Sequence, residues 1–180
     1  MADPSELMLA RYRGDLAEVE RLRAAGWSLD AHEASAVGDT PRLAALLLED
    51  PALVEAWSPD GAQPLHFAAF FGYPETCRLL LEHGADPAIH AQGFNGVAPI
   101  NAAAATDTKP HEVATEIAEM LLDRGADADA QQGGGATALH SAALTRNAGL
   151  ARLLVEHGAD PDRPMDDGRT PRALWPELPA

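Results

Sequence analysis

Histidine and cysteine are the side chains here that could bind a metal ion or act as a nucleophile; there are seven histidines and a single cysteine, Cys77. His66 and His140 occupy the same place in two similar segments, with a third segment between them. Packed helices lie about 8–10 Å apart, so we expect these imidazoles to be too distant to share an ion and to hydrogen-bond nearby turn backbone. Cys77 precedes an apolar run, which favours a core residue. A lone cysteine forms neither an intrachain disulfide nor a cysteine-based zinc site.

Three further patterns match functional motifs only in part. Aspartates recur in short turns, but without the Asp-x-Asp-x-Asp-Gly spacing and final glutamate of a calcium loop. The glycine run 133–135 lacks the Gly-Lys-Ser/Thr that completes a phosphate-binding loop. Ser141 stands beside His140 on a predicted helix, where adjacent side chains point in different directions, and no Gly-x-Ser-x-Gly occurs. The sequence therefore predicts no enzyme, no metal site and no cofactor.

The composition is that of a folded, acidic protein. Hydrophobic residues make up 46% and charged residues 23%, and 28 acidic against 13 basic residues give a net charge of −15. Such a charge repels nucleic acid and anionic lipid, so we expect neither as a partner. No apolar run reaches about 18 residues and the N-terminus lacks a signal pattern, which predicts a soluble cytoplasmic protein. The single lysine, Lys109, among so many arginines points to a bacterial origin.

Two motifs repeat along the chain in fixed register. Gly-Ala-Asp begins at Gly84, Gly125 and Gly158, each time closing an apolar run. Ahead of each, three residues after a glycine, stands Pro-Leu-His-Phe-Ala-Ala, Pro-Ile-Asn-Ala-Ala-Ala or Ala-Leu-His-Ser-Ala-Ala. The spacing from that glycine to the Gly-Ala-Asp glycine is 23, 29 and 23 residues. The register is therefore kept, apart from six extra residues in the middle unit, which we place in a turn within residues 106–112.

Each unit is predicted to form two short antiparallel helices and an extended turn. Thr137 and Thr170 suit the N-cap of a first helix, and Pro74 and Pro110 suit the first position of a second helix. The glycine of Gly-Ala-Asp supplies the left-handed residue that ends the second helix. One such unit cannot bury its own apolar face, so neighbouring units must stack into a continuous core. The pattern predicts an all-α solenoid.

These motifs resemble those of the ankyrin-repeat family, over residues 5–175. The resemblance implies an all-α ankyrin-repeat solenoid of stacked helix–turn–helix units joined by hairpin-like turns. We divide residues 1–180, a single array, into an N-terminal capping repeat (5–27), four repeats (28–60, 61–95, 96–134 and 135–167) and a truncated C-terminal cap (168–180). The residues that carry the repeat signature are Pro64, Leu65, His66, Gly84, Gly125, Thr137, Leu139, His140 and Gly158.

The unit 96–134 departs most from the family pattern. Ala98, Ile100 and Asn101 stand where the family usually has Thr, Leu and His, and Gln63 replaces a capping threonine in the unit before. Because a lost cap costs about 1 kcal/mol, we expect residues 96–125 to be the least stable interior repeat. The hairpin that precedes it, 90–96, is two residues longer than its equivalent after Gly125.

The resemblance implies partner recognition on a concave surface formed by the first helices and the hairpin tips. Four of the chain's nine aromatic residues fall at the matching positions, and exposed aromatic anchors commonly dominate binding. The alternative interpretation is packing: Phe70 or Phe71 against the next repeat, and Trp57 over the side of a hairpin. The full predicted set is Trp57, Pro59, Asp60, Ala62, Phe70, Phe71, Gln92, Phe94, Asn95, Val97, Gln131, Leu144, Thr145, Asp166, Asp167 and Arg169.

We therefore expect a monomeric, non-catalytic protein–protein interaction module with a rigid surface, binding an unidentified protein of basic or mixed charge. One alternative is an acidic inhibitor or decoy that occupies the basic nucleic-acid-binding groove of a partner, whose binding would depend strongly on salt. Another is an enzyme or metal protein, which metal analysis and a hydrolase screen would reveal. A third is an array that binds only its own copies, which light scattering would detect.

Overall fold

The computed structural model describes residues 4–105 and 109–179, and this part of the chain is helical, without a strand. Its α-helices form five antiparallel pairs and a single last helix. Short 3-10 turns lie at Pro51–Glu55, Phe94–Gly96 and Gly133–Gly135. The helices are α1 (Glu6–Tyr12) with α2 (Leu16–Ala24), α3 (Ala31–Val37) with α4 (Thr40–Glu49), α5 (Pro64–Phe71) with α6 (Pro74–Glu82), α7 (Pro99–Ala104) with α8 (His111–Asp123), α9 (Ala138–Thr145) with α10 (Ala148–Glu156), and α11 (Pro171–Leu174).

Helix ends follow the predicted cap chemistry. Thr170 accepts from the backbone N–H of Ala173 at 3.0 Å, which caps α11. Gly84, Gly125 and Gly158 have φ of 91°, 94° and 93°, the left-handed conformation predicted for the residue that ends each second helix.

The helices stack in two layers around one core. First helices pack on first helices, in the order α1, α3, α5, α7, α9 and α11, and second helices α4, α6, α8 and α10 pack in the same way behind them. The buried apolar residues run without a break from Leu7 to Leu178. The architecture is the predicted all-α solenoid. Each helix pair falls within one of the predicted units; the unit boundaries themselves stay a prediction.

Hairpins connect the units and join one another along one edge. After Gly125 the backbone N–H of Gln132 donates to Ala136 O at 2.9 Å, whereas the hairpin before α7 closes from the N–H of Ala91 to Val97 O at 2.9 Å, so it is two residues longer, as predicted. Neighbouring tips are bonded directly, since the Gln92 N–H donates to Gly61 O at 2.7 Å. We call the face formed by the first helices and these tips the inner face.

The extra length of the middle unit lies only partly where it was predicted. Residues 106–108 lie outside the described part of the chain, but His111 belongs to α8, which has 13 residues against 9 in α6 and α10. The placement of the whole insertion in a turn is therefore wrong. Pro110 is the N-cap of α8 and not its first residue, because the helix begins one residue later. Pro74 does occupy the first position of α6.

Candidate functional site

A cavity of about 230 Å³ opens on the inner face between α5, α7 and the hairpin tip that carries Phe94. Apolar atoms form almost its entire wall. The lining residues are Tyr12, Ala62, His66, Phe67, Phe70, Phe94, Val97, Ala102, Ala105 and Gln132.

The cavity exists because α7 carries small residues where α5 carries large ones. Both helices begin at a proline, Pro64 in α5 and Pro99 in α7. In that register Phe67 and Phe70 of α5 correspond to Ala102 and Ala105, the alanines that line the cavity. Ala102 in α7 and Ala105 at its C-cap therefore lack the two rings that α5 carries, and the rings of α5 border the resulting space.

Tyr12, at the end of α1 in the N-terminal cap, forms one wall of this cavity. Its ring centroid lies 6.2 Å from that of Phe94 and 6.3 Å from that of Phe71. Its hydroxyl donates to a carboxylate oxygen of Asp60. Burial, reinforced by this carboxylate, raises the pKa of Tyr12. Sequence reasoning missed Tyr12, although it stands two residues before Gly14, as Phe70 does before Gly72.

Phe94 is held in a strained backbone conformation. Phe94 and Asn95 have φ of 49° and 57°, a region that side-chain-bearing residues seldom occupy. A residue held in such a conformation costs about 1–3 kcal/mol. Phe94 nevertheless remains 48% exposed, so little burial offsets this cost. The longer hairpin thus presents an aromatic ring at the cavity mouth at the expense of stability.

Phe71 is fixed by packing inside the molecule. The guanidinium carbon of Arg11 lies 4.0 Å from its ring centroid, and the Phe70 ring meets it edge-on at 5.0 Å. Arg11 is held in turn, because its Nε donates to Ala36 O at 2.8 Å and its Nη2 to the Tyr73 hydroxyl at 3.2 Å. Phe71 therefore packs as in the alternative interpretation, but against the N-terminal cap and not against the next repeat. Phe70 packs on Phe71 and also lines the cavity.

The structure gathers four of the predicted binding residues, Ala62, Phe70, Phe94 and Val97, around the cavity. Trp57 is 38% exposed and does not line it. Pro59 and Asp60 instead line a smaller cavity of about 170 Å³ against the N-terminal cap.

The predicted residues of the last repeat and the C-terminal cap make contacts of their own. Leu144 is exposed, whereas the Thr145 hydroxyl donates to Ser141 O at 3.0 Å. Arg169 and Asp167 form an exposed ion pair at 2.7 Å. This pairing holds the pKa of Asp167 below its ordinary value, since the Arg169 guanidinium hydrogen-bonds its carboxylate.

The two signature histidines tie each repeat to the next hairpin. In His66, Nδ1 accepts from the Gln63 N–H at 3.1 Å, so Nε2 carries the proton and donates to Val97 O at 3.1 Å. His140 makes the same two kinds of bond, to Thr137 and to Arg169 O. These are the bonds to turn backbone that were predicted. Burial lowers the pKa of His66 to about 4, and burial also lowers that of His140, so both imidazoles are neutral near pH 7.

Asn101 makes two bonds of the same kinds in the middle repeat, although its second acceptor lies before the hairpin tip and not after it. Its Oδ1 accepts from the Ala98 N–H at 3.2 Å, and its Nδ2 donates to Ala130 O at 2.9 Å. The replacement of histidine therefore removes an ionisable group and keeps the connection. Ala98, at the N-cap of α7, has no side-chain oxygen to cap the helix. The lower stability expected of this unit stays a prediction.

Lys109, within the extra residues, contacts the C-terminal parts of α5 and α7. Its ammonium donates to Phe70 O at 2.7 Å and to Ala102 O at 3.3 Å. These carbonyls lie near the C-terminal ends of α5 and α7, where a cation is favourable. Burial lowers the pKa of Lys109 to about 8.

Cys77 and the turn aspartates have structural roles in the described part of the chain. Residues 4–105 and 109–179 contain no cluster of three or more His, Cys, Asp or Glu that could hold a metal ion. Cys77 is fully buried, as predicted for a core residue, and burial raises the pKa of its thiol to about 12. Aspartates form turns: Asp86 accepts from the Ala88 N–H at 2.9 Å. No helix in the same ranges is long and apolar enough to cross a membrane.

Family comparison decides what kind of chain this is. Residues 7–132 match the family model described as "Ankyrin repeats (3 copies)", and residues 113–174 match "Ankyrin repeats (many copies)". The chain belongs to the ankyrin-repeat family. The resemblance inferred from the repeat motifs is thereby confirmed.

Relatives of this ankyrin-repeat protein are much longer than it is. It is 39% identical over 113 residues to mouse "Ankyrin repeat and SOCS box protein 16". The matched region covers 60% of this chain and 24% of that relative. It is 43% identical over 60 residues to the rice (indica) "Potassium channel AKT1", covering 33% of this chain and 6% of the channel. It is 36% identical over 97 residues to human "SH3 and multiple ankyrin repeat domains protein 2", covering 54% and 5%. The chain thus spans at most about a quarter of these three proteins.

Proposed function

We propose that this ankyrin-repeat protein binds a partner protein through its inner face and performs no catalysis. Ankyrin repeats are in general protein–protein interaction modules, and the proposal assigns that role to a particular surface. The observation that carries it is the cavity bordered by Tyr12, Phe70 and Phe94. The ring of Phe94 is partly exposed there, and the backbone of Phe94 is strained. A strained backbone conformation that is not offset by burial of its side chain is typical of a functional site.

Charge supports a basic or mixed-charge partner. The chain carries a net charge of −15, and several of its arginines are already paired with acids of the same chain, as in Arg21–Glu18 at 2.6 Å and Arg163–Asp129 at 3.0 Å. The remaining negative field attracts cations and mainly raises the rate of association. The apolar cavity would then supply most of the affinity, since anchors in desolvated pockets dominate binding energy.

Affinity capture from extracts of the native host tests this assignment. The bait pair is wild type and a Phe70→Ala/Phe94→Ala double variant, with Leu48→Ala as the matched control, because Leu48 is 82% exposed on α4, in the second layer. Truncating an anchor costs about 2 kcal/mol or more, so we expect the double variant to lose captured protein at least about thirtyfold. The control should retain it.

Two results would overturn the proposal. Equal recovery by wild type and the double variant, with circular dichroism showing both folded, would exclude the inner face. Complete release of the captured protein by about 0.5 M salt would instead favour the acidic-decoy alternative, since exposed charge pairs are screened at that ionic strength and apolar anchors are not.

A further inference from the structure

The size of the inner-face cavity indicates whether it suits a whole small molecule or a single side chain of a partner protein. Pockets for drug-sized ligands and cofactors occupy about 300–1,000 Å³, and this cavity has about 230 Å³. An apolar cavity of about 150 Å³ is already large enough to hold benzene. The space therefore fits one bulky side chain, and the rest of its owner must lie outside.

The lining determines which side chain fits. Phe67, Phe70, Val97 and Ala102 offer no polar partner to an entering group, and although Gln132 also lines the cavity, polar atoms form almost none of its wall. His66 is neutral, and both of its ring nitrogens are engaged by Gln63 and Val97. A charged or hydroxyl-bearing group would lose its hydration without compensation, at a cost of about 1–3 kcal/mol for a hydroxyl and more for a charge. An aliphatic or phenyl side chain incurs no such cost.

The rim determines what should stand beside that side chain. Asp60 holds the Tyr12 hydroxyl through one carboxylate oxygen, so a negative charge lies at the edge of the apolar wall. The tip that carries Asp60 packs directly on the tip before Phe94, because the Gln92 N–H donates to Gly61 O. A cation next to the apolar anchor would meet Asp60 and the negative field of the chain.

We propose that the cavity receives one leucine-to-phenylalanine-sized apolar side chain from a basic segment of the partner protein, with an arginine or lysine beside it facing Asp60. The inference rests on the proposed function and adds the chemistry of the partner. The residues that define the specificity are Ala102 and Ala105, because their small size leaves the space open.

Capped pentapeptides provide the probe. Ac-Arg-Gly-X-Gly-Arg-NH2, with X as leucine, phenylalanine or serine, and a glutamine-flanked leucine peptide are titrated by NMR into the full chain. Burying a leucine contributes about 1.5–3 kcal/mol, so the leucine and phenylalanine peptides should bind at least about tenfold more tightly than the serine peptide. The largest shifts should appear at Val97, Ala102 and Ala105.

Ala105→Phe is the decisive variant, since it restores the ring that α5 has at the equivalent position, and Ala105→Ser is its matched control. Ala105 is exposed, so both variants should fold, which circular dichroism checks. We expect the phenylalanine variant to abolish the preference for leucine over serine and the serine variant to keep it. Asp60→Asn should reduce the preference for arginine-flanked over glutamine-flanked peptide about threefold or more, as expected of a partly exposed ion pair.

Each contrary outcome has its own meaning. Equal binding of leucine and serine peptides, or an unchanged preference in Ala105→Phe, would overturn the anchor and leave the inner-face proposal standing if Phe70→Ala/Phe94→Ala still abolishes capture. Light scattering could instead show that wild type and Ala105→Ser are dimers and that Ala105→Phe is a monomer. This result would show that a second copy of the chain occupies the cavity, and it would refute a basic partner segment.

Discussion

Replacing His66 by asparagine should make the protein less sensitive to acid. The imidazole is neutral because it is buried, and protonation of Nδ1 would in addition break the hydrogen bond that this atom accepts from the Gln63 N–H. Asn101 shows that asparagine at the equivalent position can accept the same N–H bond and donate to a carbonyl of the next turn. His66→Asn therefore removes the proton-binding group and keeps the contacts, which separates the two contributions.

The magnitude follows from proton linkage. An unfolded histidine has a pKa of about 6.5, and burial lowers that of His66 to about 4, with the neighbouring His90 adding to the shift. Below about pH 6.5 the unfolded chain binds a proton that the native chain does not, so stability falls as pH decreases toward 4. The contribution of His66 to the free energy of unfolding should drop by about 1.3 kcal/mol between about pH 7.5 and 5.5.

Urea unfolding at the two pH values measures this effect. Wild type should lose about 1.3 kcal/mol more than His66→Asn on acidification, and the two proteins should have similar stability at the higher pH. Asn101→His is the reciprocal variant and should add a loss of the same sign. If His66→Asn loses as much stability as wild type between the two pH values, then the neutral buried imidazole is not the source of the acid sensitivity and the reasoning is wrong.

Three other changes test strain, space and burial. Phe94→Gly should stabilise the chain by about 1 kcal/mol in urea unfolding, because glycine adopts the positive φ freely, while partner binding falls; a stability loss would contradict the strain. Gly84→Ala, at φ 91° with open space around it, should cost about 1–2 kcal/mol, and Gly72→Ala should cost more, since its Cβ would stand 3.0 Å from Cδ of Lys109; equal losses would show that the lysine stem yields freely. The buried thiol of Cys77 should react with a disulfide reagent at about pH 8 at least about a thousandfold more slowly in the native than in the urea-unfolded chain, given its raised pKa, and rapid native labelling would show that the core opens.

Local rules were enough to predict the solenoid. The glycines at Gly84, Gly125 and Gly158 each need a positive φ, and Thr170 needs only the N–H three residues ahead, so sequence spacing alone specifies these caps. The apolar helix faces between these caps can be buried only if neighbouring units stack on one another. Interactions that close within one unit, or between one unit and the next, could be predicted because the repeat fixes their register.

The cavity could be predicted only in part, because its walls come from distant units. Phe70 and Phe94 were found from their repeat positions, but Tyr12 reaches them only through the stacking of three units. Lys109 belongs to residues without a repeat equivalent, so no register indicated that its ammonium would meet Phe70 O and Ala102 O. Trp57 occupies a position typical of binding residues, and the structure leaves it outside the cavity.

The wall contributed by Tyr12 limits how this array can change its length. Repeat proteins commonly evolve by duplication or deletion of whole units, which leaves local packing intact. Here one inserted unit between the cap and α5 would move the tyrosine by about 10 Å and separate it from Asp60 and Phe94. The order and number of the first three units therefore determine whether this cavity keeps its Tyr12 wall, and a chain without its cap would leave the cavity open on that side.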